Sequence, residues 1–326
     1  MKWTLDIDIK QPSKKIMYPD RIMLIGSCFT EHIGRHLQLL KFPVVQNPNG
    51  ILFDPLSVCS SLISYTRDEL YSEDILVQQN ELWQSWHHHS RFSGTDKSHV
   101  LGLINAARSE AHDFLSKTKW LIITLGSAFA YRLQESGAFV ANCHKAPAQL
   151  FSKHLCTIEE INSALDNCLY QLFRFNPGLQ VILTVSPVRH IRDGVINNNR
   201  SKARLLEGVH HICEKFDQLH YFPSYELVID VLRDYRFYDI DLVHPNYQAT
   251  QYVVQQFVTN YFTDESRLLA AEMEKIANAR KHKPFHESSN AHAKFRQTFL
   301  EKVKQISAQY PFLPLEEELE FFSGQL

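Results

Sequence analysis

The chain reads as an α/β protein built on a mainly parallel sheet. Three observations predict it. Strand-like and helix-like segments alternate over residues 1–262. Two segments, Trp120–Leu125 and Gln180–Val185, are almost wholly apolar, as parallel strands covered on both faces are. The apolar run Ile22–Ile25 ends in Gly26-Ser27-Cys28, and a helical pattern begins directly after it, which reads as a sharp strand-to-helix turn.

The elements follow in order. Ile22–Ile25 is a strand, and Glu31–Leu40 has the periodicity of a helix. Pro43–Gln46 is a short extended piece, and Pro55–Tyr65 reads as a helix. Leu76–Trp86 is mixed and strand-like, and His99–Ser116 is helical before the strand Trp120–Leu125. Thr157-Ile158-Glu159-Glu160 is a capping box, in which the threonine and glutamate side chains satisfy each other's backbone amides. The helix it opens stops near Asn176-Pro177-Gly178. After the strand Gln180–Val185 come a long helix over Ser201–Gln218, a short strand at His220–Phe222, and helices over Tyr225–Asp234 and Tyr247–Phe262. From Thr263 onward only helical patterns remain, Glu265–Lys281 and Ala291–Gln309, joined by Lys283-Pro284-Phe285-His286-Glu287. The acidic stretch Glu316–Glu320 follows. Residues 1–262 are therefore expected to form the α/β domain, and 263–326 a helical C-terminal extension that packs on that domain or on a protein partner.

Composition excludes several classes. At 326 residues the chain can bury a sizeable core without staples. A charged fraction of 21% and a formal net charge of −2 argue against nucleic-acid binding, which needs a basic excess or stripe. The longest apolar runs are too short to span a bilayer, and no positive, apolar, small-residue segment opens the chain. A cytoplasmic protein is the expectation. Six cysteines (28, 59, 143, 156, 168 and 213) show no Cys-x-x-Cys spacing and are expected to be free thiols. The run His87-His88-His89 lacks carboxylates or thiols at ligand spacing, so neither a metal nor a cofactor is expected.

In open α/β sheets ligands bind beyond the carboxyl ends of the strands. The residues there are Gly26-Ser27-Cys28, Asn47-Pro48-Asn49-Gly50, Gly126-Ser127-Ala128, Ser186 to His190, and Asp241-Leu242-Val243-His244. A nucleophile at Ser27 or Cys28 would sit at the positive end of a helix, which favours a thiolate and an oxyanion. The same turn also fits a buried crossover in which Cys28 is only a small apolar residue. Asp241 and His244 have the spacing in which a carboxylate orients an imidazole as general base. Asp96/His99 and Asp217/His220 share that spacing but bracket a helix start and a helix end, as caps or surface residues do. Cys143 and His144 are adjacent on an extended segment and point apart, so one of them at most faces the site. Arg189 and His190 follow a buried strand and suit a substrate carboxylate or phosphate; a salt bridge from Arg189 to Asp193 is the other reading.

These motifs together resemble the GSCFA family, a branch of the SGNH/GDSL hydrolase-like proteins. The name-giving run appears as Gly26-Ser27-Cys28-Phe29-Thr30. Further similar stretches are Asn47 to Leu52, Thr124 to Ala128, Asn142-Cys143-His144-Lys145, Ser186 to His190, Phe222 to Glu226, Leu232 to Tyr238 and Asp241 to Pro245. The resemblance covers roughly residues 20–262 and implies a three-layer α/β/α fold with a flavodoxin-like sheet. It also implies a site. Cys28 falls on the superfamily's nucleophilic serine, Ser27 on the aspartate before it, and Asp241 and His244 on the remaining triad members. Gly26 matches the first-block glycine, Gly50 the second-block oxyanion glycine, and Gly126-Ser127 the third block. Ala128 stands where that block has an oxyanion-binding asparagine, and Asn142, Asn49 or Ser127 would have to replace it.

The function so implied is ester or thioester hydrolysis, or acyl transfer, on a small-molecule or glycan acyl ester. Cys28 or Ser27 would be the nucleophile, and Gly26, Gly50, Gly126, Ser127, Asn142, His144, Arg189 and His190 would surround the oxyanion and substrate. A Cys28 paired with His244 would react as a thiolate below the ordinary thiol pKa of about 8.5. The altered Gly-Asp-Ser block and the lost asparagine equally fit a non-catalytic binding or accessory protein of polysaccharide metabolism.

Overall fold

The computed structural model describes residues 5–286 and 288–324; Glu287, the last residue of the 283–287 connector, lies outside them with both chain ends. Its centre is a parallel five-stranded sheet. In chain order the elements up to the third sheet strand are β1 (Ile22–Gly26), α1 (Cys28–Leu39), β2 (Val44–Gln46), α2 (Pro55–Tyr65), the hairpin β3 (Val77–Gln79) and β4 (Leu82–Gln84), α3 (Lys97–Ser116) and β5 (Trp120–Leu125). A three-stranded antiparallel sheet follows, β6 (Phe129–Leu133), β7 (Phe139–Val140) and β8 (Phe151–Leu155), in the order β7-β6-β8. The main sheet resumes after α4 (Ile158–Phe175) with β9 (Gln180–Val185), α5 (Gly194–Cys213) and β10 (Leu219–Tyr221). The short α6 (Ser224–Glu226) runs into a π-wound segment over Leu227–Leu232. Helices α7 (Tyr247–Tyr261), α8 (Asp264–Lys281), α9 (Asn290–Gln309) and α10 (Glu316–Ser323) complete the described residues.

The sheet order is β10-β9-β5-β1-β2. Counting sheet strands alone, this is the 2-1-3-4-5 order of doubly wound flavodoxin-like sheets, and the chain reverses its direction of travel at β1 and β5. Alternate side chains of the strands face opposite layers. Ile22, Leu24, Trp120 and Ile122 pack with α1, α7 and the C-terminal helices. Met23, Ile25, Leu121 and Ile123 pack with α2, α3, α4 and α5. The implied three-layer α/β/α architecture is what the chain forms.

Two helices begin three or more residues earlier than their periodicity suggests. Helix α1 starts at Cys28 rather than Glu31, with Ser27 as its N-cap residue. Helix α5 starts at Gly194 rather than Ser201, because Asn197 Nδ2 donates to Asp193 O and Asn198 Oδ1 accepts from His190 N, drawing an asparagine-rich stretch into the helix. The capping box opens α4 as read, with Thr157 Oγ1 accepting from Glu160 N and Glu160 Oε2 from Thr157 N. Helices α8 to α10 share the core on the α1 side through Leu269, Met273, Ile276, Val303 and Phe322. Each such buried side chain contributes about 1.5–3 kcal/mol, more than a surface ion pair does, so the extension is docked mainly by apolar contact.

Candidate active site

The first turn of the sheet is built on a glycine. Gly26 has φ +142°, and a Cβ there would stand 2.1 Å from Thr124 O of the neighbouring strand. Its amide donates to Asn47 Oδ1, and Ser27 N donates to Thr124 O. These bonds tie the end of β1 to both neighbours, just before the helix that carries the candidate nucleophile.

Ser27 and Cys28 then part company. Ser27 is 1% exposed and its hydroxyl is buried without a hydrogen-bond partner. Cys28, the first residue of α1, lines a cavity of about 460 Å³ beyond the carboxyl ends of β1, β5 and β9. Phe53, Ser127, Val188, Arg189, His190, Val243 and His244 line the same cavity. The backbone amides of Phe29 and Cys28 are directed at the Cys28 thiol and favour its ionised form, as does the charge of Lys202. Burial outweighs them, and the thiol is held above its ordinary pKa. Burial, the largest influence, thus opposes the thiolate that the helix start favours.

His244 and Asp241 stand in a turn between the π-wound segment and α7. His244 Nδ1 lies 2.7 Å from Asp241 Oδ2, while Asp241 Oδ1 accepts from Val243 N and His244 N at 2.9 and 3.0 Å. The His244 amide and side chain and the Val243 amide bring the Asp241 carboxyl down to about 2. A carboxylate at Nδ1 fixes the tautomer and leaves Nε2 as the working nitrogen. The thiol and the imidazole share the cavity without a direct hydrogen bond, a looseness common in unliganded sites.

The other expected residues divide. Arg189 and His190 line the cavity, and no ion pair joins Arg189 to Asp193; Asp193 is paired with Lys153. His190 Nε2 is buried without a partner, and burial, reinforced by Lys202, brings the imidazole down to about 4. Gly126 is pressed between Phe53, His190 and Ser27: a Cβ there would stand 2.9 Å from Phe53 Cβ, 3.1 Å from His190 Nε2 and 3.2 Å from Ser27 Cβ. Gly50 is not in the cavity wall; its amide is spent on Asn47 O and its φ of +84° serves a close approach to His89, so it offers no free oxyanion donor. Asn142 and His144 form a separate polar cluster, with Asn142 Nδ2 near Ser90 Oγ, Asn142 Oδ1 accepting from His144 N, and His144 Nε2 against Ser85 O. Asn49 Nδ2 donates to Ser61 Oγ.

Sequence reading missed Lys202. It is 1% exposed, and its Nζ donates to Gly126 O and Ser186 O, both at 2.6 Å, joining the loops that follow β5 and β9. Burial lowers its pKa to about 7. A lysine in a long, otherwise charged helix reads as solvent-facing, so no local signal marks it. Among the described residues, His154, Cys156 and Glu160 bring their ligand atoms within 4.8 Å of one another. Glu160 there already caps α4 and lies 3.6 Å from Arg132, a poor setting for a cation. The histidine run does not contribute to that group.

The glycine-serine-cysteine turn and the motifs around the cavity carry a family signature. The sequence pattern of the GSCFA family matches residues 21–257. The chain belongs to the GSCFA family. The pattern described as the C-terminal domain of GSCFA domain proteins matches residues 273–326, over α8 to α10. Among solved structures, this GSCFA protein is similar to a Streptococcus pneumonia protein provisionally described as a platelet activating factor. That match has 11% identity, a TM-score of 0.39, and covers 76% of this chain and 85% of that one. It is also similar to the acetyl xylan esterase Est2A of the rumen bacterium Butyrivibrio proteoclasticus, at 14% identity and a TM-score of 0.38, over 75% of this chain and 63% of that one. No curated protein matches it in sequence. No described helix is long and apolar enough to cross a membrane.

Proposed function

We propose that this GSCFA protein is an SGNH-like acyl hydrolase or acyltransferase acting on an ester or thioester, with Cys28 as nucleophile. One observation carries the reading. Cys28, and not Ser27, opens into the cavity whose wall includes His244, an imidazole already held through Nδ1 by the Asp241 carboxylate. Cys28 Sγ attacks the acyl carbon and its proton passes to His244 Nε2. The tetrahedral intermediate collapses, the C–O or C–S bond breaks, and the leaving group takes the proton back from His244. Water or an acceptor hydroxyl then releases the acyl group from sulfur by the same route in reverse. Because burial disfavours the thiolate, the reading gives His244 the role of general base, as it would have for serine.

Release of nitrophenol from short acyl esters tests this reading. Cys28→Ala and His244→Ala are expected to abolish the enzymatic rate, and Ser27→Ala to leave the chemistry in place. A measurable rate that neither Cys28→Ala nor His244→Ala lowers would overturn it. The raised thiol pKa and the absence of a Cys28–His244 hydrogen bond favour a second reading, a binding protein that uses the same cavity for an acyl-bearing ligand. In that case wild-type Cys28 forms no acyl adduct.

A further inference from the structure

Acyl transfer develops a negative oxygen, and each well-placed donor to it is worth about 10²–10³ in rate. The start of α1 supplies backbone amides at Cys28 and Phe29 that favour negative charge at the sulfur. The side-chain donor is missing from its expected place. Ala128 is fully buried, and its own amide donates to Ser201 Oγ. The groups that sequence offered instead are all engaged. Asn142 and Asn49 bond elsewhere in the fold, Gly50 N is spent on Asn47 O, and Ser127 Oγ lies 3.2 Å from Ser201 Oγ and accepts from Phe129 N.

His190 has what those groups lack. Its Nε2 is a buried ring nitrogen without a hydrogen-bond partner, on a residue that lines the same cavity as Cys28 and His244. A buried polar atom left unpaired is costly, and this one belongs to a residue of the cavity wall, so it is available to a ligand. The nitrogen stands 3.1 Å from the point a Gly126 Cβ would occupy, and Ser27 Cβ stands 3.2 Å from that same point; Gly126 opens the block that has lost its asparagine. The ring is placed by Phe53 at 5.3 Å between centroids and by the bond from His190 N to Asn198 Oδ1 at 2.8 Å.

We propose that His190 Nε2–H is the side-chain oxyanion donor of this site, standing in for the absent third-block asparagine. The proposal rests on the acyl-transfer reading above. In the attack the Sγ–C bond forms, the carbonyl π pair moves onto oxygen, and the thiol proton goes to His244. His190 keeps its proton throughout and contributes only a hydrogen bond. Burial, reinforced by the Lys202 charge, disfavours a second proton on the imidazole, so it carries one N–H.

Two reactions of the same sulfur separate this role from a structural one. Acylation of Cys28 by 4-nitrophenyl acetate passes through an oxyanion, whereas alkylation by iodoacetamide displaces iodide and forms none. Both are followed on wild type, His190→Ala and His190→Gln, under single-turnover conditions, with the Cys28→Ala rate subtracted. His190→Ala is expected to slow acylation by about 10²–10³ and to leave alkylation unchanged, while His190→Gln, which keeps an N–H, recovers part of the loss. Equal slowing of both reactions, or no slowing of acylation, overturns the donor assignment while the acyl-transfer reading stands. A wild-type Cys28 that is acylated no faster than Cys213 overturns both.

Discussion

Lys202 allows the physical picture of the site floor to be tested by stability alone. Its ammonium is fully buried and bonded to two carbonyl oxygens, and its pKa is about 7 in the fold against 10.5 for an ordinary lysine. Between those two values the unfolded chain binds a proton that the folded chain does not, so stability rises with pH across that window. The linkage relation puts the penalty at about 4 kcal/mol at pH 7 and about 2 kcal/mol at pH 9. Replacing the residue by methionine removes that pH-dependent part and leaves a constant loss, because the two carbonyls lose their donor at about 1–3 kcal/mol each. The assay is urea unfolding of Cys28→Ala and Cys28→Ala/Lys202→Met at pH 7 and pH 9. The Cys28→Ala background removes the one thiol whose titration is coupled to the lysine. The lysine protein is expected to gain about 2 kcal/mol on the methionine protein between the two pH values. Parallel behaviour of the two proteins would show that Lys202 titrates as an ordinary lysine or stays charged, and would refute the buried-floor account.

Three more outcomes follow from the geometry. On the proposed acyl-transfer reading, Asp241→Asn keeps the shape of the turn but loses the carboxylate that selects the His244 tautomer, so turnover of an acyl ester should fall by about 10⁴ with KM little changed; an undiminished kcat would detach Asp241 from the chemistry. Because the thiol is pushed up by burial, the alkylation rate of Cys28 should keep rising with pH past the ordinary thiol midpoint of about 8.5, and a plateau below it would contradict the burial argument. In the C-terminal extension, Glu318 of α10 is buried against Lys41 at 3.0 Å and Arg280 at 2.5 Å. Removing both cations (Lys41→Met with Arg280→Met) strands that carboxylate and should cost about 3–5 kcal/mol in urea unfolding, while adding Glu318→Leu should recover most of it; a triple variant no more stable than the double would refute this.

Much of the fold was legible because the strongest signals in the sequence are those the sheet imposes. Trp120–Leu125 and Gln180–Val185 are buried along their whole length and read as such. Pro55–Tyr65 forms the helix that its pattern predicts, with Pro55 at its first position and Asp54 as its cap. The antiparallel sheet β6 to β8 was not foreseen. Its strands are short and half-exposed, and Arg132, Ser152 and Lys153 interrupt any apolar run. The start of α1 was placed three residues late, since Ser27 makes no side-chain cap bond and Cys28-Phe29-Thr30 has little helix propensity. The earlier start makes Cys28 itself the first helical residue, which strengthens the expected placement of the nucleophile at the positive end of a helix.

The site residues that sequence could not rank are those whose neighbours are distant in the chain. Ser27 and Cys28 are adjacent and similar in size, and only the packing of Ser27 against Gly126 separates a buried hydroxyl from a thiol in the cavity wall. Gly50 kept its motif position, but its amide is closed by Asn47, three residues away. Lys202 and His190 carry no motif of their own, yet they set the electrostatics: one is a lysine held under the β5 and β9 loops with its pKa brought down to about 7, the other an imidazole that burial and, where it is charged, that lysine keep neutral. A thiolate formed at Cys28 gains from the Lys202 charge, whereas the protonated resting thiol does not. The same field that disfavours a second positive charge at His190 thus favours negative charge at the sulfur. A cavity with this polarity favours building up negative charge during reaction over holding it at rest, which is the electrostatic order that general-base acyl transfer requires.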